Sequence, residues 1–204
     1  MTNKKPVTSK NPIHVDREEL TAGSLCDHFL IAMPDLKDPN FARTVTYICE
    51  HNEEGAMGLT INHPLELTVS DIFEQLKLSR NAVCSQQQVL SGGPVQVDRG
   101  FVIHPQGPSW ESTLQVSNDI SISSSRDILE DMAAGDGPEH TIVALGYAGW
   151  GPGQLEAEIA DNAWLTVPAD SHLLFHTPCE LRWSAAAQKL GVNLDLIPSG
   201  AGHA

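Results

Sequence analysis

Three apolar, β-branched runs follow one another early in the chain with only short connections: residues 29–33 (FLIAM), 43–51 (RTVTYICEH) and 56–62 (AMGLTIN). Parallel neighbours need a crossover of a dozen or more residues, so strands this close in sequence pair antiparallel. The turn Asn52-Glu53-Glu54-Gly55 between the second and third runs predicts a hairpin. Further strands are predicted at 100–104, 113–117, 141–147 and 163–167.

Helix signals arrive only after the hairpin. Thr68 with Asp71 forms a start signal before the apolar stripe Ile72, Phe73 and Leu76. Ser124 with Asp127 repeats the device, followed by Ile128, Leu129 and Met132 and a stop at Gly135. The strongest start is Thr177-Pro178-Cys179-Glu180, which predicts a helix to Leu190 stopped by Gly191. A fourth helix is expected from Pro152 through Ala160. Strict βαβ alternation is missing, so the pattern favours an α+β fold with a mixed sheet and about four helices over a doubly wound one.

At 204 residues one domain is expected, with residues 1–20 as a flexible polar tail and 21–204 as the folded unit. The formal charge is −14; beyond the first 17 residues the chain carries 8 basic and 25 acidic side chains. Nonspecific DNA binders neutralise phosphates with clustered Lys and Arg, and this field repels a polyanion. Direct nucleic-acid binding is therefore not expected. The start of the chain lacks the apolar stretch of a secretion signal, no run approaches the ~20 residues that span a bilayer, and four scattered cysteines do not make a disulfide framework. Together these point to a cytoplasmic protein without membrane contact.

The segment 146–156 (GYAGWGPGQLE) leaves a strand, crosses a glycine-rich stretch and enters a helix. Such a junction can cradle phosphate. However, no Lys or Ser/Thr follows the glycines, and Glu156 and Glu158 put negative charge in the first turns, so close backbone packing under Trp150 is the better reading. On a regular strand Cys49 and His51 share a face, which would set a thiol beside an imidazole. Cys26-Asp27-His28 repeats the arrangement. The spacing matches no recurring zinc module, so both cysteines are read as small buried hydrophobes and no metal is expected. Gly92-Gly93-Pro94 resembles an oxyanion-hole loop, but no Gly-x-Ser-x-Gly turn accompanies it, so a tight turn is expected there. Arg99, a lone arginine in an acidic chain, is expected in a structural ion pair or on a ligand.

Taken together, His51, Asn62, Gly92, Gly93, Arg99, His104, Tyr147, Trp150 and Gln154 sit at strand ends and turns, where ligand sites are usually built. They are the candidate binding residues, for an unidentified small molecule or protein. The same residues allow an enzyme using His51 or His104 as acid or base, or a transcriptional regulator working through a protein partner. No residue is assigned as catalytic.

Finally, several blocks resemble the AlgH/YqgE family in order along residues 24–204. The first holds residues 29–34 (FLIAMP), Asp38-Pro39-Asn40-Phe41, Arg43-Thr44-Val45, Glu50-His51, Gly55-Ala56-Met57-Gly58-Leu59 and Asn62-x-Pro64. The second holds Gly92-Gly93-Pro94-Val95, Asp98-Arg99-Gly100-Phe101 and His104-Pro105. The third holds residues 146–150 (GYAGW), Gly153-Gln154-Leu155-Glu156, Asn162-x-Trp164-Leu165 and Gly202-His203-Ala204. The resemblance implies a curled, mixed sheet or partial barrel in a cytoplasmic bacterial protein. It implies no cofactor, and a transcriptional-regulator label that rests on a genetic association with alginate production. Cys26, His28 and Cys49 stand where that family often carries other residues.

Overall fold

The structure, a computed structural model, describes residues 23–78 and 86–194. The expected tail at 1–20, Cys84 and residues 202–204 lie outside them. The elements run β1 (His28–Ala32), β2 (Val45–Asn52), β3 (Gly55–Thr60), β4 (Pro64–Thr68), α1 (Val69–Gln75), β5 (Gln88–Ser91), β6 (Val95–Pro105), β7 (Thr113–Gln115) and β8 (Ile120–Ser123). They continue with α2 (Arg126–Ala134), β9 (Ile142–Trp150), α3 (Gln154–Ala160), β10 (Trp164–Pro168), α4 (Ser171–Phe175), a 3-10 turn (Cys179–Leu181) and α5 (Arg182–Gln188).

The strands form one mixed sheet in the order β10-β1-β2-β3-β9-β6-β8-β7, with β4 and β5 branching from β9. Every pairing is antiparallel except β5 on β9. The sheet curls into a half-barrel. Its concave face gathers Phe29, Ile31, Tyr47, Leu59, Phe101, Ile103 and Ile122 from distant strands into one cluster under α4 and α5. On the convex face α1 and α2 cover Val89, Val102 and Val143, and α3 covers Leu30, Ile48 and Ala148. Phe101 and Ile103 face one way and Val102 the other, the period-2 alternation of a strand buried on both sides.

α5 is fastened by polar groups as well as by packing. The Trp183 indole donates to the Ala32 carbonyl at 2.9 Å. The buried Arg182 guanidinium donates to Leu174 O at 2.8 Å, to Thr177 O at 3.1 Å and to Ile61 O. Three carbonyls thus accept one charged fork where water has been excluded.

β9 is the centre of the fold. Along one side β9 pairs with β5 up to Leu145 and with β3 from Ala148, Gly58 facing Ala148 and Ala56 facing Trp150; along the other side it pairs with β6 as far as Tyr147. At this fork Gly92 and Gly93 cross against Gly146 and Tyr147. A Cβ on Gly92 would stand 2.3 Å from Gly146 O, one on Gly93 2.2 Å from Tyr147 C, and one on Gly146 2.4 Å from Gly93 O. Gly93 and Gly146 also hold φ of +151° and +73°. The strand expected at 141–147 therefore continues to Trp150, and the expected glycine-rich loop shrinks to the turn at residues 151–153. The glycines serve backbone contact within a sheet.

Other departures are local. β4, β5 and β8 were not expected: they are short, and their alternation is weak. Thr68 and Asp71 form the capping box as expected, but the α2 cap falls on Ser125 rather than Ser124. Thr177 does not cap a helix, because its hydroxyl donates back to His172 O at 3.3 Å. The chain makes the 3-10 turn first, and α5 starts at Arg182. α4, closed by His176, precedes it unannounced.

The crossing generates a direct expectation. Gly93→Ala costs about 3 kcal/mol or more in chemical denaturation, because backbone must move to admit the methyl. Gly100→Ala, whose Cβ would meet only Leu145 Cδ2 at 3.9 Å, stays within about 1 kcal/mol of the parent. Equal losses in the two variants would refute the crossing as the point of intolerance.

Candidate functional site

β2 carries a bulge: Ile48 pairs with Gly58 and Glu50 with Met57, leaving Cys49 as the extra residue. A bulge re-aims the side chains beyond it. Cys49 consequently points into the concave core, and His51 points to the α3 face. The expected shared face of Cys49 and His51 is broken by this one inserted residue.

His51 is 8% exposed. Its Nδ1 accepts the Leu25 N–H at 2.8 Å, so the ring proton sits on Nε2, which donates to Glu156 Oε1 at 2.7 Å. The Glu156 backbone amide and the His51 ring hold that carboxylate below the usual range. Next along α3, Glu158 accepts both indole N–H groups, from Trp150 and Trp164, each at 2.9 Å, and the Gln154 amide at 2.8 Å. Gln154 Oε1 in turn accepts the Gly151 N–H at 3.0 Å. His51, Trp150 and Gln154 therefore meet around α3, where hydrogen bonds tie the helix to the sheet.

The remaining sequence candidates lie elsewhere. Asn62 accepts Val45 N–H at 2.7 Å and donates to Arg43 O at 2.9 Å, stitching the entry to β2. The Gly92 N–H is bonded to Leu145 O at 2.8 Å, so it offers no oxyanion donor. Tyr147 packs edge-on to Phe101 at 6.0 Å. Arg99 is exposed over the Phe101 ring at 5.1 Å and reaches Gln96 Oε1 at 3.5 Å; the expected ion pair is not formed among the described residues. His104 is fully buried, with Nδ1 donating to Pro105 O at 2.8 Å and Nε2 accepting from Ser123 Oγ at 3.0 Å. Burial holds its pKa below the ordinary imidazole value. Neither histidine is among the residues that line the groove described next.

An open groove of about 550 Å³ lies at one end of the half-barrel. It is lined by Gln106 after β6, Asn118 and Asp119 before β8, His140 before β9, and Ser171, Phe175 and His176 around α4. His140 stacks on Phe175 at 6.3 Å and meets His176 edge-on at 4.7 Å. Beside it stands Asp27, held at φ +57°. Burial pushes its carboxyl above the usual range and Asp119 adds to this, while the Tyr47 hydroxyl at 2.8 Å, Ser117 and His28 pull it back. Strained backbone with a perturbed, partly buried acid is a physical mark of a functional site.

Sequence reasoning passed over Asp27 in favour of its neighbours. Those neighbours are inert. Burial pushes the Cys26 thiol up and the Cys49 thiol well up. Cys26 Sγ donates to Cys49 O at 3.2 Å, and His28 Nδ1 contacts Cys26 O at 3.0 Å. Among the described residues no group of three or more His, Cys, Asp or Glu is set to hold a metal ion. No helix there is long and apolar enough to cross a membrane.

A family profile described as AlgH-like matches residues 29–195. A UPF0301 protein of Thioalkalivibrio sulfidiphilus is 55% identical over 186 residues, covering 91% of this chain and 100% of its own. UPF0301 protein AlgH of Pseudomonas aeruginosa is 57% identical over 179 residues, covering 87% of this chain and 94% of its own. The solution structure of AlgH from Pseudomonas aeruginosa matches with a TM-score of 0.72 at 51% identity, over 97% of this chain and 100% of that one. A crystal structure from Corynebacterium diphtheriae, 19% identical with a TM-score of 0.69 over 85% of this chain and 91% of that one, shares the fold. The chain belongs to the AlgH-like family.

Two measurements check the geometry. Glu158→Ala strands two indole donors and is expected to cost about 2–3 kcal/mol in denaturation, with a shift in tryptophan emission; an unchanged midpoint would discount the network. For Asp27 the sign runs against the common carboxylate case. The folded state binds this proton more tightly than the unfolded chain, so the stabilisation is complete below the ordinary carboxylate value. It is lost as pH rises through the raised one. Asp27→Asn should therefore flatten the pH–stability curve just above the ordinary carboxylate range and raise Tm at pH 7. A lower Tm there, with the curve unchanged, contradicts this.

Proposed function

We propose that this member of the AlgH-like family is a cytoplasmic binding module whose groove between the β7–β8 turn and α4 takes a small polar ligand, and that ligand occupancy regulates a protein partner without contact to DNA. The observation that carries this reading is the convergence at one groove of polar side chains from four separate stretches of chain, beside a strained, partly buried Asp27. Side chains elsewhere that drew notice in the sequence are occupied in holding elements together, as the bonds of His51, Trp150, Gln154 and Asn62 illustrate.

Catalysis by His51 or His104 has less support. A general base needs a free lone pair within reach of a substrate proton. His51 Nδ1 is taken by a backbone amide and His104 Nε2 by a buried hydroxyl. Transcriptional regulation through a protein partner is compatible with the module; direct DNA contact conflicts with the charge of −14.

A screen of polar metabolites of mixed charge against ¹⁵N-labelled protein tests the proposal. The expected result is saturable shifts at Asn118, Asp119, His140, Ser171 and His176, with Leu25, His51 and Gly151 unmoved. Binding centred on α3, or tight salt-sensitive binding of duplex DNA, would falsify it.

A further inference from the structure

Among the described residues that line the groove there is one carboxyl side chain, Asp119, and neither Lys nor Arg. The Asp27 carboxyl lies close enough to Asp119 to feel its charge. Lys189, in the segment after α5, pairs with Asp170 at the start of α4. An anionic ligand would therefore meet the Asp119 carboxyl group and no Lys or Arg among the described lining residues. Phe175 also lines the groove, with His140 stacked on its ring at 6.3 Å, and aromatic rings attract cations within about 6 Å of the ring centre. Gln106, Asn118 and the ring nitrogens of His140 and His176 add hydrogen-bonding groups. A bare metal ion is a poorer fit, because no set of three ligands is assembled among the described residues.

Resting on the groove as the binding site, we propose that it selects an organic cation, an alkylammonium or guanidinium group, seated between Asp119 and the Phe175 ring. The group is borne either by a free aliphatic amine or by a basic side chain of a peptide. A cation there relieves the repulsion between Asp119 and Asp27. The groove, at about 550 Å³, holds several methylenes besides the charged head. The negative field of the whole chain raises the local concentration of such a ligand.

The test uses the full chain at low salt, titrated with 1,4-diaminobutane, with an arginine-containing tripeptide amide, and with inorganic phosphate and a neutral triol for comparison. Calorimetry and ¹⁵N shifts supply the readout. The amine or the tripeptide should bind with shifts at Asn118, His140 and His176. Asp119→Asn should weaken it at least tenfold, and Glu139→Gln, removing an exposed carboxylate next in sequence to the groove, less than twofold. Phe175→Leu supplies a second variant should Asp119→Asn lose its dispersed spectrum; it should weaken the cation severalfold. Tighter binding of the tripeptide than of the diamine assigns the cation to a protein partner, and the reverse to a free amine. Equal effects of Asp119→Asn and Glu139→Gln, or preference for phosphate or the triol, overturn the cation proposal while leaving the groove a binding site. Failure of every class to bind there overturns both.

Discussion

Backbone has to touch backbone at the fork of β9, and the rest of the sheet is arranged around that contact. Thr60 N–H reaches Gly92 O at 2.8 Å, and Gly92 N–H reaches Leu145 O at 2.8 Å, so a single short segment bridges the two strands that diverge there. No side chain larger than hydrogen fits on Gly92, Gly93 or Gly146. Because the bridge closes, β9 can pair with β5 and then β3 along one side while β6 holds the other, and the sheet can turn its two ends toward a common concave core. The groove exists because the loops before β8 and β9 and the α4 helix are brought to the same end of that curl.

The fold was largely legible in the residues. The strand runs located β1, β2 and β3, the second half of β6 and most of β9 and β10, and the Thr68–Asp71 pair located α1. What escaped has physical reasons. Glycines at 146, 149, 151 and 153 look alike in one dimension, yet those at 146 and 149 lie in a strand while 151 and 153 form the following turn. Thr177 carries the chemistry of a cap, and a competing carbonyl one turn earlier claimed its hydroxyl. Tertiary contact decided the first case, and a competing local hydrogen bond decided the second.

The site was legible only in part. Residues that look unusual in sequence, such as Trp150 and His51, proved to be unusual because they fasten α3 to the sheet. The groove residues are common types: Asn118, Asp119, His140, Ser171 and His176 sit in stretches with no motif. Their juxtaposition depends on loops separated by many strands, which no spacing rule reports. Asp27 carried a faint signal inside Cys26-Asp27-His28, and the thiol and imidazole on either side drew attention from the acid between them. The bulge at Cys49 had the same effect, since a single extra residue reverses every facing rule beyond it.

The late position of β9 and β10 in the chain bears on how the protein is made. β1 is flanked by β2 and β10, with Ala32 opposite Trp164, and β3 relies on β9 for its second neighbour. A nascent chain emerging from the ribosome therefore exposes the open edges of β1 and β3 until the last third has been translated. Long-range pairings of this kind form slowly, and exposed apolar edges invite association with other chains. The β2–β3 hairpin forms early, and the molecule stays half-assembled until residue 168 leaves the exit tunnel. Slower translation between the hairpin and β9 lengthens the exposure.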